Sequence, residues 1–361
     1  MRRFFECLIP VTACNIKCSY CYVVQEGRRK NEKAIFNYPP ETIAKSLSKE
    51  RLGGISLISI TGSGETLIPL ELPEIVQQIL FEGHFVNITT NGLLSDRLDK
   101  LLEATKGYHS HLHFSFSFHY LELKRRNLIN TFFSNIRKTH KAGCSILLQI
   151  NLVDEYLQYW DEIKCLSIEY VGALPQVALT RDESNKDFKI MSSLSKDEYQ
   201  ARGREMNSPL FDFTCRFFKE KRREFCYAGL WSAKLNLCTG EMSACYGNGR
   251  VQNIFDDPCK PIIFEPIGNN CKFMYCINSS HFISQGIIPE LMPLPSYGEL
   301  RNREEGHWYT PEMKQFLYQQ FGDTNPLLSK GEQHLYNIKY QITSVEKFMK
   351  RGVNLLKRAF K

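Results

Sequence analysis

The segment Cys14-Asn15-Ile16-Lys17-Cys18-Ser19-Tyr20-Cys21 places three thiols within eight residues. Thiolates are soft ligands, and three that converge can hold a soft metal centre. A four-iron cluster normally takes four cysteines. Three, with no fourth nearby, would leave one iron open to an outside ligand. A structural zinc site normally adds a second close pair of cysteines or a histidine, and no histidine lies in this stretch. A second group of cysteines stands at 215, 226, 238, 245, 259, 271 and 276, with irregular polar sequence between them. This reads as a module held by metal rather than by an apolar core.

Something must aim the first three thiols. Short β-branched or aromatic runs alternate with amphipathic ones through the first half of the chain. Strands are predicted at Phe4–Thr12, Ile55–Gly62, Phe85–Asn91, His111–His119, Ser145–Val153 and Gln176–Arg181. Helices are predicted at Pro40–Arg51, Glu71–Gly83, Ser95–Gly107, Tyr120–Gly143 and Tyr156–Tyr170. Such alternation means βαβ units and a parallel sheet. Six units suit a partial (β/α)6 TIM-like barrel, and the Gly62–Gly64 turn lacks the G-x-G-x-x-G spacing of a dinucleotide fold. In barrels of this kind the chemistry sits in the loops after the strands, which is where the three thiols fall. The predicted fold is this α/β barrel over 1–205, a small cysteine-rich α+β module over 206–296, and a helical C-terminal tail over 297–361.

C-x3-C-x-aromatic-C after the first strand of a partial barrel resembles the radical S-adenosylmethionine (SAM) superfamily. The resemblance implies that Cys14, Cys18 and Cys21 hold a [4Fe–4S] cluster whose open iron chelates SAM, with Tyr20 beside the cofactor. Thr61-Gly62-Ser63-Gly64-Glu65 resembles the family's Gly-Gly-Glu-Pro loop, with Ser63 and Thr66 as departures. It would assign Gly62, Ser63, Gly64 and Glu65 to the SAM ammonium. Glycine lets backbone approach a ligand closely, and a carboxylate suits a cation. Thr90 and Asn91 resemble the Thr-Asn-Gly after the third strand. Ser117 is aligned with a serine that reaches the SAM ribose or carboxylate. Gln149 and Asn151 are polar positions in an apolar run that suit contacts to SAM. His119 replaces the usual aspartate, which implies either proton transfer, a substrate contact or a hydrogen-bonded core histidine.

Cys226-x13-Gly240-x4-Cys245 resembles the SPASM/twitch extension of the same superfamily. The resemblance implies one auxiliary [4Fe–4S] cluster on Cys226, Cys245, Cys271 and Cys276, with Cys238 or Cys259 as substitutes. A structural zinc site is the other reading of this module. Of the remaining thiols, Cys215 and Cys238 are candidates for a hydrogen-atom donor to a substrate radical.

Together these features describe a radical SAM oxidoreductase or maturase. Its expected substrate is a peptide or protein side chain undergoing crosslinking, epimerisation or oxidation. The alternatives are a carbohydrate or aminocyclitol, and, from another class, a non-catalytic electron-transfer protein. An external flavodoxin- or ferredoxin-like electron donor is implied. The first strand begins close to Met1, which would leave any leader peptide to a separate recognition protein.

Composition narrows the rest. The 361 residues are 43% hydrophobic and 12% aromatic, which excludes a disordered chain. No apolar run reaches the roughly 18 residues of a membrane span. The stretch after Arg2-Arg3 is broken by Glu6 and Pro10, poor for a signal peptide. Thirteen cysteines, an odd number, suit metal or redox chemistry in the cytoplasm better than disulfides. A net charge of +7 with no recognised RNA-binding module gives no reason to expect nucleic acid. The stretch Ser344–Lys361 reads as a basic amphipathic helix, either a packed element with a solvated lysine face or a docking surface.

Overall fold

The computed structural model describes residues 1–184, 187–246 and 248–342. Nine strands form one sheet in the order β6-β5-β4-β3-β2-β1-β7-β8-β9. They are β1 Arg3–Ile9, β2 Ser56–Gly62, β3 Phe85–Thr90, β4 Leu112–Ser117, β5 Ser145–Leu152, β6 Gln176–Leu179, β7 Ser232–Asn236, β8 Glu241–Cys245 and β9 Asn248–Asn253. Strands β1 to β6 are all parallel and pair in sequence order. β6 is a free edge, so the sheet is a partial TIM-like barrel that does not close.

The strand sequences explain this arrangement. Phe5, Cys7 and Ile9 of β1, Ile58 and Ile60 of β2, and Phe114 and Phe116 of β4 are fully buried. They alternate with an opposite, inner face that carries the polar residues Glu6, Ser59, His113 and Ser115 among apolar ones such as Phe4 and Leu57, following the two-residue period of a strand. The inner residues satisfy one another. The Asn87 amide donates to Ser59 Oγ at 2.9 Å, while Asn87 Oδ1 accepts from Ser115 Oγ at 2.8 Å and meets His113 Nδ1 at 2.7 Å. A polar rung thus crosses β2, β3 and β4 and fixes their register.

The six predicted strands and the five helical regions occur, but two helices are each broken in two. Pro40–Arg51 divides into Pro40–Ser46 and Lys49–Leu52, where Ser48 caps the second piece through Arg51 N. Tyr120–Gly143 divides into Tyr120–Arg125 and Ile129–Lys141. Asn127 takes a left-handed φ of 55° there, a conformation asparagine tolerates and a helix interior does not.

Two further features were not predicted. β7 pairs in parallel with β1, Phe4 opposite Ser232 through Leu8 opposite Asn236, and carries the antiparallel hairpin β8–β9 beyond it. The cysteine-rich region therefore extends the barrel sheet. The C-terminal region is largely irregular between Tyr297 and Asn325, with short helices at Pro311–Leu317 and Phe321–Thr324 and a longer one over 330–342. It seals the N-terminal ends of the strands. Ile146 N donates to Trp308 O at 2.9 Å, Thr310 N to Ser145 Oγ at 2.9 Å, and Trp308 Nε1 to Val171 O at 2.9 Å. The basic stretch Ser344–Lys361 lies outside the described residues.

Candidate functional site

The ends of β1 to β5 surround a cavity of about 220 Å³. Its walls include Cys14, Cys18, Tyr20 and Cys21 from the β1 loop, and Gly62 to Glu65 from the β2 turn. Thr90 and Asn91 follow β3, and Ser117, His119 and Asn151 complete it. Almost every residue assigned to the cluster and SAM thus meets in one place. Gln149 does not: it faces a neighbouring cavity deeper in the barrel.

Backbone contacts hold the three-thiol loop against the β2 turn. Gly64 N donates to Val11 O at 2.5 Å and Glu65 N to Ala13 O at 3.0 Å. A Cβ on Gly64 would stand 2.1 Å from Ala13 O, so this approach requires glycine. Glu65 is 2% exposed, and the sequence alone assigns it to a ligand ammonium. Its carboxylate instead already accepts Thr90 Oγ1 at 2.6 Å, Leu67 N at 3.0 Å and Asn91 N at 2.8 Å. Burial raises its pKa against those three bonds. Glu65 ties the ends of β2 and β3 together and borders the cavity from that fixed position.

The thiols are oriented in turn. Asn91 Nδ2 lies 2.6 Å from Asn15 Oδ1 and 3.7 Å from Cys14 Sγ. Arg29 Nη2 donates to Cys14 O at 3.0 Å. His119 Nδ1 lies 3.2 Å from Cys18 Sγ and 2.7 Å from the Tyr20 hydroxyl, which itself meets Tyr156 at 3.0 Å. Burial lowers the His119 pKa to about 4, so the ring is neutral near pH 7. His119 is thus a partner of the Cys18 sulfur. Burial also raises the pKa of Cys14 and Cys18, the latter further through its neighbours Cys21 and Cys14. Arg29, Tyr22 and Tyr156 escaped the sequence reading because no motif marks them; the first two are placed by the folded loop, and Tyr156 by the turn after β5.

A second cavity, of about 510 Å³, is bordered by Cys226, Cys245, Cys271 and Cys276. Gly240 makes the β7–β8 turn with φ +75°, and a Cβ there would meet Asn253 Oδ1 at 2.4 Å. An irregular ladder then folds the later cysteines back. Cys226 and Gly268 exchange backbone bonds of 3.2 and 3.0 Å, and Arg222 N donates to Met274 O at 2.8 Å. Buried Asn248 accepts from Lys272 N at 3.1 Å, next to Cys271. The main-chain amides of Ala228, Tyr246 and Asn278 lower the pKa of Cys226, Cys245 and Cys276 against burial, as the amide of Ile16 does for Cys14. Burial first, and then the other thiols, push Cys226 and Cys245 upward, and burial pushes Cys276 to about 12.

Among the described residues no three Cys, His, Asp or Glu side chains close to the spacing of one metal ion. A four-iron cluster is several atoms wide and needs its thiols further apart. Both donor sets are made of thiols alone, which suits an iron–sulfur cluster. Cys238 is buried at the β7–β8 turn, and Cys215 is half-buried in the helix Pro209–Phe217. Neither borders any of the three cavities described.

The radical SAM superfamily matches the chain over residues 8–163, the stretch that holds the three-thiol loop and β2 to β5. The cofactors of that family are a [4Fe–4S] cluster and SAM. The fold is also similar to that of SuiB from Streptococcus suis bound to SAM, with a TM-score of 0.51 at 15% identity over 71% of this chain and 64% of that one. SuiB bound to its precursor peptide SuiA gives 0.51 at 15% identity over 71% and 63%. The chain therefore spans a little under two thirds of the length of those structures. No curated protein matches significantly. Among the described residues no helix is long and apolar enough to cross a membrane.

Proposed function

We propose that this chain is a radical SAM enzyme with one auxiliary [4Fe–4S] cluster, acting on a peptide or protein side chain. The observation that carries this reading is the pair of thiol cavities with a third space between them. Cys14, Cys18 and Cys21 would hold the SAM-binding cluster, and Cys226, Cys245, Cys271 and Cys276 the auxiliary one, within a unit spanning about 206–296. When bound, the first cluster supplies one electron that cleaves SAM to methionine and a 5′-deoxyadenosyl radical, which takes a hydrogen atom from substrate.

The protein's own share is positioning and exclusion of water. The Gly62–Glu65 turn presents backbone polar groups at the cavity wall, with Glu65 fixed by its three donors. Ser117 and Asn151 offer hydrogen bonds on the opposite side. His119 and Asn91 hold cluster sulfurs in place. The fold likeness to a protein solved with a precursor peptide supports a peptide substrate. All thirteen cysteines are free, which supports a reducing compartment and an external low-potential electron donor.

The test is anaerobic reconstitution followed by reduction with dithionite. The expected result is about eight irons per chain, from two four-iron clusters, and formation of 5′-deoxyadenosine. A full iron complement with no 5′-deoxyadenosine overturns the enzymatic reading and leaves an electron carrier. About four irons removes the auxiliary cluster from it.

A further inference from the structure

Between the two thiol sites lies a smaller cavity of about 140 Å³. Gln149 joins it to the SAM side, because Gln149 is the register partner of Ser117. Cys276 joins it to the auxiliary side, because that thiol borders both spaces. A group placed here would sit within the barrel and next to both.

This cavity contains a buried cation with no acid to match it. Arg301 is 2% exposed and comes from the segment that seals the barrel. Its guanidinium stacks 3.7 Å over the Tyr297 ring and donates to two main-chain carbonyls, Ser280 O at 2.8 Å and Tyr297 O at 3.3 Å. A guanidinium has five N–H donors, and among the described residues no carboxylate pairs with this one. Arg181 borders the same cavity and is matched, by Glu183 at 2.6 Å. Glu6 lies on the inner face of β1, but one of its oxygens takes Tyr246 at 2.6 Å and Asn278 at 2.9 Å, and its nearby cation is Lys234. A buried charge is costly unless paired. A guanidinium left unpaired at the wall of a cavity suits an anion that arrives from outside.

We propose that Arg301, assisted by Gln149, binds an acidic group of the substrate, a carboxylate or a phosphate. This deepens the functional reading above and rests on it. An acidic side chain or phosphoryl group lodged on Arg301 would orient the remainder of the substrate toward Ser117 and the SAM cavity. The segment that supplies Arg301 lies far outside the stretch matched by the radical SAM family. Specificity would thus be set by a part of the chain separate from the radical machinery.

The test uses reconstituted holoprotein with SAM bound and three probes: N-acetylglutamate, its neutral isostere N-acetylglutamine, and inorganic phosphate. Calorimetric titration should show the acid binding about tenfold or more tighter than the amide, the range of a hydrogen bond to a charged group. Arg301→Lys should retain that preference and Arg301→Gln should lose it. Phosphate binding more tightly than N-acetylglutamate, with the same dependence on Arg301, would identify the acidic group as a phosphate; the reverse order would identify a carboxylate. Equal affinity for acid and amide in the wild-type protein would overturn the proposal. So would a preference that survives Arg301→Gln, or the failure of both anions to bind. If Arg301→Gln loses its iron, the wild-type comparison and Arg301→Lys still decide. Holoprotein that prefers the acid but forms no 5′-deoxyadenosine counts against the enzymatic reading alone.

Discussion

The two thiol sites solve the same problem in opposite ways. At the first, three thiols come from one short loop whose ends are pinned by a parallel strand and by the Gly64 contact. At the second, four thiols come from a hairpin and a long return, spread from Cys226 to Cys276 with almost no regular structure after Asn253. The first is preorganised locally by neighbouring strand ends. The second depends on tertiary contacts such as the Cys226–Gly268 bridge and the Asn248 side chain. A cluster in the second site would contribute more to the folding of its own surroundings, since ligation there closes long loops.

The largest effects should come from removing ligands. Cys14→Ala, Cys18→Ala or Cys21→Ala should reduce 5′-deoxyadenosine formation to background while about four irons remain, measured by chromatography and iron assay. Cys245→Ala should do the reverse: SAM cleavage persists, about four irons are lost, and turnover of a substrate fails. Parallel loss of both activities in Cys245→Ala would show that the two sites are not independent.

The glycines sharpen the contrast at lower amplitude. Gly64→Ala forces a Cβ to within 2.1 Å of a backbone carbonyl, so something must shift. A cost of about 1–3 kcal/mol and a clear loss of SAM affinity are expected, read by equilibrium binding. Gly240→Ala places a side chain at φ +75°, with an expected cost of about 1 kcal/mol or more. Its signature should be faster loss of auxiliary iron at unchanged SAM affinity. If both variants damage both sites equally, the local-versus-tertiary distinction is wrong.

A separate effect, tied to neither thiol site, is on acid stability. Burial lowers both His113 and His281 to about 3, against about 6.5 in an unfolded chain. Between those values the unfolded state binds the proton and the folded state does not. Stability is therefore complete above pH 6.5 and declines as pH falls toward 3. Each ring contributes a slope of up to about 1.4 kcal/mol per pH unit. Denaturant titrations of apo-protein from pH 7 to 5 should show this, and His113→Gln should flatten it. An unchanged slope in that variant would remove His113 from the explanation.

Legibility in the sequence follows the same division. Cys14 to Cys21, Gly62 to Glu65, Asn91 and Ser117 could be read because each stands at a strand end, where spacing alone sets position. Gln149 was misplaced because a two-residue period gives the face of a strand but not its depth in the barrel. The donors that fix Glu65, Thr90 Oγ1 and the amides of Leu67 and Asn91, could not be read, because they depend on how two loops meet. The breaks at Ser48 and Asn127 are hidden inside otherwise helical patterns. β7 to β9 were missed because Ser232–Asn236 is short and weakly patterned, and only its pairing with β1 makes it a strand. Arg301 carries no local signal at all.

That pairing has a practical consequence for anyone dividing the chain. With β7 in place, β1 is an interior strand, hydrogen-bonded on both sides. A fragment ending near Arg204 would turn β1 into a raw margin: seven residues rich in Phe, Cys and Ile with an unsatisfied row of amides and carbonyls. Such margins recruit other chains. The radical SAM portion expressed alone should therefore precipitate or pair with itself, and the shorter piece of protein would be the harder one to keep in solution.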